Sequence, residues 1–189
     1  VHGKMERFRE TPVQPFKTIS FDTHTKNRLK LLTLRTNLLL TCLIRRDAAI
    51  KAGMFFEEMK QDAEDYDFLM RLSRLGKFKA IDQVVCKYRV HAASKSKNTS
   101  YERDSTLIQE RFKMFRRILR DENWLTRQMG WSTHYLWAGV DIHRHAPHTA
   151  RKYWFISILF YPFNLAPFKL IRASLLRKLP CSVYRHPQQ

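Results

Sequence analysis

The stretch "AEDYDFLMRLSRLG", residues 63–76, gathers three acids within four positions of a chain in which Lys and Arg outnumber Asp and Glu by 35 to 17. Behind these acids, apolar residues recur at helical spacing, and Gly76 provides a natural stop. The pattern predicts a helix that begins at the acids and is buried on most of its sides. Such a helix holds its first turn in a fixed position, which makes the acids informative.

The acids have two interpretations. Carboxylates in a first turn cap a helix, because they meet unpaired backbone N–H groups and the positive end of the helix dipole. Alternatively, Glu64 and Asp65 form a catalytic pair at the edge of a cleft, in which each carboxylate influences the protonation of the other. We interpret Asp67 as a first-turn helix acid outside the catalytic set. "DYD" is not a metal-binding DXD, because "EEMKQDAE" precedes it instead of a hydrophobic strand.

The flanking segments predict the rest of the folded centre. "NLLLTCLIRR", residues 37–46, is typical of a buried strand. "DAAIKAG", residues 47–53, predicts a short helix closed by Gly53, and "FKAIDQVVCKYRVH", residues 78–91, predicts a second strand.

This order of signals, over residues 37–96, resembles the C-terminal half of the catalytic domain of inverting family-two glycosyltransferases of the GT-A fold. The resemblance implies an α/β fold class. It implies a partial GT-A (Rossmann-like) catalytic half over residues 1–99, followed by a helical C-terminal extension over residues 100–189. The family's upstream nucleotide-binding half, with its metal-binding DXD, has no counterpart before Val1, so we expect a fragment that is inactive alone.

The resemblance also implies roles for individual residues. Asp65 matches the general base, with Glu64 in support, and Arg89 and His91 match positions that handle the donor diphosphate or its divalent metal, Mg or Mn. His91 is the implied metal ligand in this chain. Without the family context, an Arg and a His at a strand end are more often a surface charge and a hydrogen-bonded side chain.

The implied function is transfer of a sugar, with inversion, from a nucleotide-sugar donor to a hydroxyl of a glycan or lipid-linked acceptor. The expected setting is cell-surface or extracellular glycan (polysaccharide) synthesis. The expected location is cytoplasmic, peripheral on the inner face of the cell membrane.

The net charge of +18 favours an anionic partner. Residues 124–189 contain Asp141 as their only acid, and the apolar run within "RKYWFISILFYPFNLAPFK", residues 151–169, is shorter than the roughly 20 residues that span a bilayer. We therefore expect residues 124–189 to bind an anionic membrane surface without crossing it. The alternative is that these helices pack on the catalytic domain or bind a partner.

A second class of function stays open, namely a non-catalytic basic module that binds a membrane or nucleic acid. No zinc-finger spacing, aromatic RNA-binding sheet motif or basic region with heptads occurs, so no nucleic-acid partner is expected. Cys42, Cys86 and Cys181 lack metal-ligand spacing and are expected to be reduced thiols. "HRHAPH", residues 143–148, predicts a loop between helices and not a metal site.

Overall fold

The computed structural model describes residues 1–9, 39–59, 63–90 and 100–176. These residues divide into two compact units. Strands β1 (His2–Arg9) and β2 (Ala80–Val90) and helices α1 (Arg46–Lys51) and α2 (Glu64–Leu75) belong to the first unit. The second unit contains four helices, α3 (Tyr101–Ile118), α4 (Trp124–Ile142), α5 (Pro147–Phe160) and α6 (Ala166–Leu175).

In the first unit, β1 and β2 pair in parallel, with irregular register near Lys4. The chain start is tied to the segment before α1, because the Leu43 N–H donates to the Val1 carbonyl at 2.8 Å and the Val1 amino group donates to the Leu43 carbonyl at 3.1 Å. The strand predicted over residues 78–91 is confirmed as β2 for its described part.

The helix predicted from residues 63–76 is confirmed as α2. Four of its apolar residues are buried as the spacing requires, namely Phe68, Leu69, Met70 and Leu72, whereas Leu75 in the last turn is exposed. The short helix before Gly53 is also confirmed, since α1 is followed by Gly53 at φ 79°, a left-handed conformation that glycine adopts without steric cost.

The predicted partial GT-A (Rossmann-like) fold is wrong. A Rossmann-like half needs a multi-stranded parallel sheet with helices on both faces, whereas the described residues are mostly helical and contain only the two-stranded β1–β2 sheet. The predicted strand over residues 37–46 is also wrong, because Leu39–Thr41 form a 3-10 turn and Arg46 already begins α1. A short apolar run does not distinguish a strand from a buried turn.

The second unit begins with a capped helix, as the sequence predicts for residues after Ser100. The Ser100 hydroxyl accepts from the Arg103 N–H at 3.2 Å, and the Asn123 side chain accepts from the Thr126 N–H at 2.9 Å at the start of α4. The loop predicted at residues 143–148 is confirmed for residues 143–146, which separate α4 from α5, whereas His148 lies in the first turn of α5. Pro147 begins α5, where its missing N–H costs no helical hydrogen bond.

The core of this unit forms around Trp154. Its ring is fully buried against Ala138, Ile142 and Ala150, and its indole N–H donates to the Leu136 carbonyl at 3.1 Å. Gly139 allows the indole to lie directly on the α4 backbone, because a side chain at this position would occupy the same space.

We predict that Gly139→Ala destabilises the protein by about 2 kcal/mol, as overpacking typically does. The added Cβ would lie 2.9 Å from Trp154 Cε2, and neither the helix backbone nor the buried ring can yield cheaply. The measurement is urea unfolding followed by circular dichroism. Gly76→Ala is the matched control, because a Cβ there meets nothing within 4 Å, and its effect should stay within about 0.5 kcal/mol. Equal unfolding midpoints for wild type and Gly139→Ala would contradict this packing.

Candidate functional site

The side chain of Arg71 joins α2 to the turn that follows α1. Its Nε donates to Asp67 Oδ2 at 2.7 Å, its Nη2 donates to the Met54 carbonyl at 2.6 Å, and its Nη1 donates to the Ala52 carbonyl. The guanidinium also lies 4.1 Å from the centroid of the Phe56 ring, a cation–π contact. Four contacts from one planar group fix the position of α2 relative to this turn.

The turn has the backbone shape that this arrangement needs. Gly53 and Met54 are both left-handed, with φ of 79° and 52°. For Met54 this conformation costs about 1 kcal/mol. A Cβ on Gly53 would lie 3.5 Å from Arg71 Nη1, which is ordinary contact, so the positive φ and not the available space is what requires glycine. Arg71 binds the carbonyl of Ala52, which precedes these two left-handed residues, and the carbonyl of Met54, the second of them.

Arg71 separates the three acids of the first turn into two kinds. Asp67 is fully buried and neutralised by Arg71, which agrees with its interpretation as a structural acid. Glu64 and Asp65 are half-buried and form the start of α2. The Glu64 Oε2 atom is buried and accepts no hydrogen bond within the part of the chain that the structure describes.

The other two predicted site residues lie at the end of β2. The backbone of Arg89 pairs with Phe8 in the β1–β2 register, one residue before the strand ends. The Arg89 side chain and the whole of His91 lie outside the described part of the chain, so their donor-binding and metal-binding roles stay predictions.

The described ranges contain no group of three or more His, Cys, Asp or Glu placed to hold a metal ion. Glu64 and Asp65 offer the oxygen ligands that Mg and Mn prefer, but two carboxylates alone do not make such a site. The three histidines of residues 143–148 have separate partners. His143 contacts the Ser174 hydroxyl at 2.9 Å, His145 pairs with Asp104 at 3.2 Å, and His148 contacts Arg151 at 2.9 Å. The described residues therefore do not fit a divalent metal by themselves.

A histidine and a cysteine, His134 and Cys42, lie in surroundings that suppress their reactivity. His134 is buried among aromatic rings, and this burial, with the nearby Arg111 charge, lowers its pKa to about 3. It is therefore neutral near pH 7 and acts as a packing residue. Burial raises the pKa of the Cys42 thiol to about 11, so this thiol stays protonated and is a poor nucleophile.

Sequence reasoning missed Arg71, although a signal for it was present. Asp67 and Arg71 are separated by four positions, the spacing at which opposite charges meet on a helix. The spacing does not reveal the contacts of Arg71 with Ala52, Met54 and Phe56, because these residues are distant from it in the sequence.

No family model matches this chain, and neither a curated protein nor a solved structure does so. The resemblance to family-two glycosyltransferases therefore rests on the quoted residues alone.

We predict that Asp67→Asn destabilises the protein by about 3 kcal/mol, because it breaks a buried ion pair and leaves the Arg71 charge uncompensated. Asp65→Asn changes only a half-buried first-turn carboxylate and should cost less than about 1 kcal/mol. Urea unfolding of the two variants, measured side by side by circular dichroism, makes the comparison. If Asp65→Asn proved as costly as Asp67→Asn, the assignment of Asp67 as the structural acid of this turn would be wrong.

Proposed function

We propose that this chain carries the acceptor-activating part of an inverting glycosyltransferase, with Asp65 as the general base. The observation that carries the proposal is the first turn of α2. There Glu64 and Asp65 are half-buried on a helix that Arg71 holds through Asp67 and the Met54 carbonyl. The support is this local arrangement together with the motif resemblance. The overall fold gives none, since the Rossmann-like prediction is wrong.

In the proposed reaction, an acceptor hydroxyl oxygen attacks the anomeric carbon of a nucleotide sugar. A new C–O bond forms as the bond from that carbon to the donor phosphate breaks, and the nucleoside diphosphate leaves. Asp65 takes the hydroxyl proton, so the attacking oxygen gains nucleophilicity as the bond forms. A base on a rigid helix suits this task, because the reacting atoms must be held within a narrow range of positions.

Glu64 has a supporting role in this proposal. Its buried Oε2 lacks a partner in the described ranges, so an incoming acceptor hydroxyl or a cation near the site would satisfy it. This arrangement makes Glu64 a residue that orients the acceptor, while the proton goes to Asp65. Removing Glu64 should therefore weaken acceptor use more than it slows proton transfer.

The remaining parts of the proposal come from the resemblance. Arg89 and His91 would meet the donor diphosphate, and Mg or Mn would serve the complete enzyme. The acceptor would be a glycan or a lipid-linked sugar, in cell-surface glycan synthesis at the inner face of the cell membrane. The proposal derives no step from the metal, because the described residues do not fit one by themselves.

The test uses the full gene product with a panel of nucleotide sugars and lipid-linked or glycan acceptors. Asp65→Asn should lower turnover by a factor of roughly 100 to 10,000, the usual contribution of a general base, with donor affinity nearly unchanged. Glu64→Gln should have a milder effect. Donor affinity is measured separately by titration calorimetry, and product stereochemistry by NMR.

Asp47→Asn is the matched control, since Asp47 is an exposed first-turn acid on α1 of the same unit and should not affect turnover. Residues 1–189 alone are expected to give no transfer, because the resemblance places the nucleotide site elsewhere. Undiminished turnover in Asp65→Asn would overturn the assignment. Loss of donor binding in that variant would move Asp65 from acceptor activation to donor recognition.

A further inference from the structure

The last two helices and the turn between them expose large apolar side chains. Phe163 in the turn between α5 and α6 is 80% exposed, and Leu159 on α5 is 69% exposed. We name this surface the hairpin face and define it by its exposed apolar residues: Phe155, Leu159, Phe163, Leu165, Phe168, Leu175 and Leu176. Phe155 and Leu159 are four positions apart on α5, and Phe168 and Leu175 are seven positions apart on α6, so each pair shares one side of its helix.

Helix α6 packs Leu170 and Ile171 against the core but leaves other apolar residues exposed. Its buried positions include Ser174, whose hydroxyl contacts His143 at 2.9 Å and accepts from Arg151 at 3.3 Å. Its exposed positions include Phe168 and Leu175. An amphipathic helix normally buries such residues and exposes serine. An exposed apolar stripe of this kind marks a binding surface for a partner outside the chain.

Cations accompany the exposed apolar residues. Lys152 on α5 and Lys169 and Arg172 on α6 are exposed on the same stripes. Residues 124–189 contain a single acid, Asp141, and it pairs with Arg111. Aromatic and leucine side chains mixed with unopposed cations match the boundary between acyl chains and anionic headgroups.

From these observations we propose that the hairpin face binds the surface of an anionic lipid bilayer. The inference goes beyond sugar transfer and does not depend on it. A protein partner fits less well, because the cores of protein interfaces are depleted of lysine, whereas Lys169 lies beside Phe168 within the stripe. On a bilayer the same lysine extends its charge to the headgroups while its alkyl chain remains with the apolar side chains.

A groove on α6 fits the two parts of a lipid. Its volume is about 410 Å³, and its lining residues are Phe168, Ile171, Arg172, Leu175 and Leu176. The four apolar side chains suit the upper part of an acyl chain, and the Arg172 guanidinium suits the phosphate above it. None of the described helices is both long and apolar enough to cross a bilayer. The proposed contact is with the membrane surface.

The test is sedimentation of the full 189-residue chain with vesicles of phosphatidylcholine containing phosphatidylserine. Lys169→Gln with Arg172→Gln should weaken binding roughly 30-fold at low salt, since each cation near an anionic membrane contributes about a factor of five. Leu159→Ser with Phe163→Ser should weaken it by at least about tenfold, because both side chains leave water on binding. High salt should weaken wild-type binding and affect the double-glutamine variant less.

The controls are matched to these changes and lie in the first unit. Leu43 is 80% exposed, as Phe163 is, so Leu43→Ser tests the loss of any exposed apolar side chain. Lys51→Gln with Lys77→Gln removes two exposed cations elsewhere and should leave vesicle binding within about twofold of wild type. Circular dichroism confirms that each variant folds.

Three outcomes would overturn the proposal. These are the absence of sedimentation with anionic vesicles, equal binding to pure phosphatidylcholine, and equal losses in the control and hairpin-face variants. If the serine variant instead changed the molecular mass in solution without changing vesicle binding, a second copy of the chain would be the occupant of the face. The assay requires no turnover, so its failure and the failure of the glycosyltransferase proposal are distinguishable.

Discussion

The first unit depends on the guanidinium of Arg71, which binds two backbone carbonyls and one carboxylate at once. The carbonyl of Ala52, at the end of α1, has no partner within that helix and accepts from Arg71. The carbonyl of the left-handed Met54 is held by the same group, and the buried carboxylate of Asp67 is neutralised by it. Lysine would bind one of these groups, whereas the planar guanidinium of arginine reaches all three.

This constraint connects the fold to the proposed chemistry. Because Arg71 holds α2 about two turns beyond its start, the positions of Glu64 and Asp65 follow from the fold and not from their own contacts alone. Asp67 is buried and pairs with Arg71, whereas Glu64 and Asp65 are half-buried in the first turn of the same helix. A structural acid and a candidate base thus lie two residues apart on the same helix, and only their environments separate their roles.

The sequence predicted the elements whose signals are local. The periodic apolar residues of α2, the glycine after α1 and the alternating run of β2 each determine their own structure. The predicted strand before α1 failed, because a short apolar run is equally compatible with a turn. The GT-A prediction failed because a motif that covers one helix and its neighbours does not specify the sheet around it.

The candidate site and the hairpin face also depend on contacts that the sequence does not specify. The acids of α2 were evident from the sequence, but the contacts of Arg71 with the turn join residues 15 or more positions apart. In "RKYWFISILFYPF" the sequence does not distinguish Trp154, which is fully buried, from its neighbour Phe155, which is exposed. Which side of a helix is buried depends on the elements that pack against it, and the sequence of the helix alone does not specify those elements.

Hydrogen exchange of the Arg71→Lys variant tests the central claim most directly. Lysine keeps the charge beside Asp67 but cannot bind both carbonyls and stack on Phe56 at the same time. We expect the amides of Gly53, Met54 and the first two turns of α2 to exchange at least about tenfold faster than in wild type, with unchanged protection in α4 and α5. Arg74→Lys, an exposed change in the last turn of α2, should leave all of them unchanged. Equal protection of α2 in wild type and Arg71→Lys would contradict the account, because the position of Glu64 and Asp65 would then not depend on Arg71.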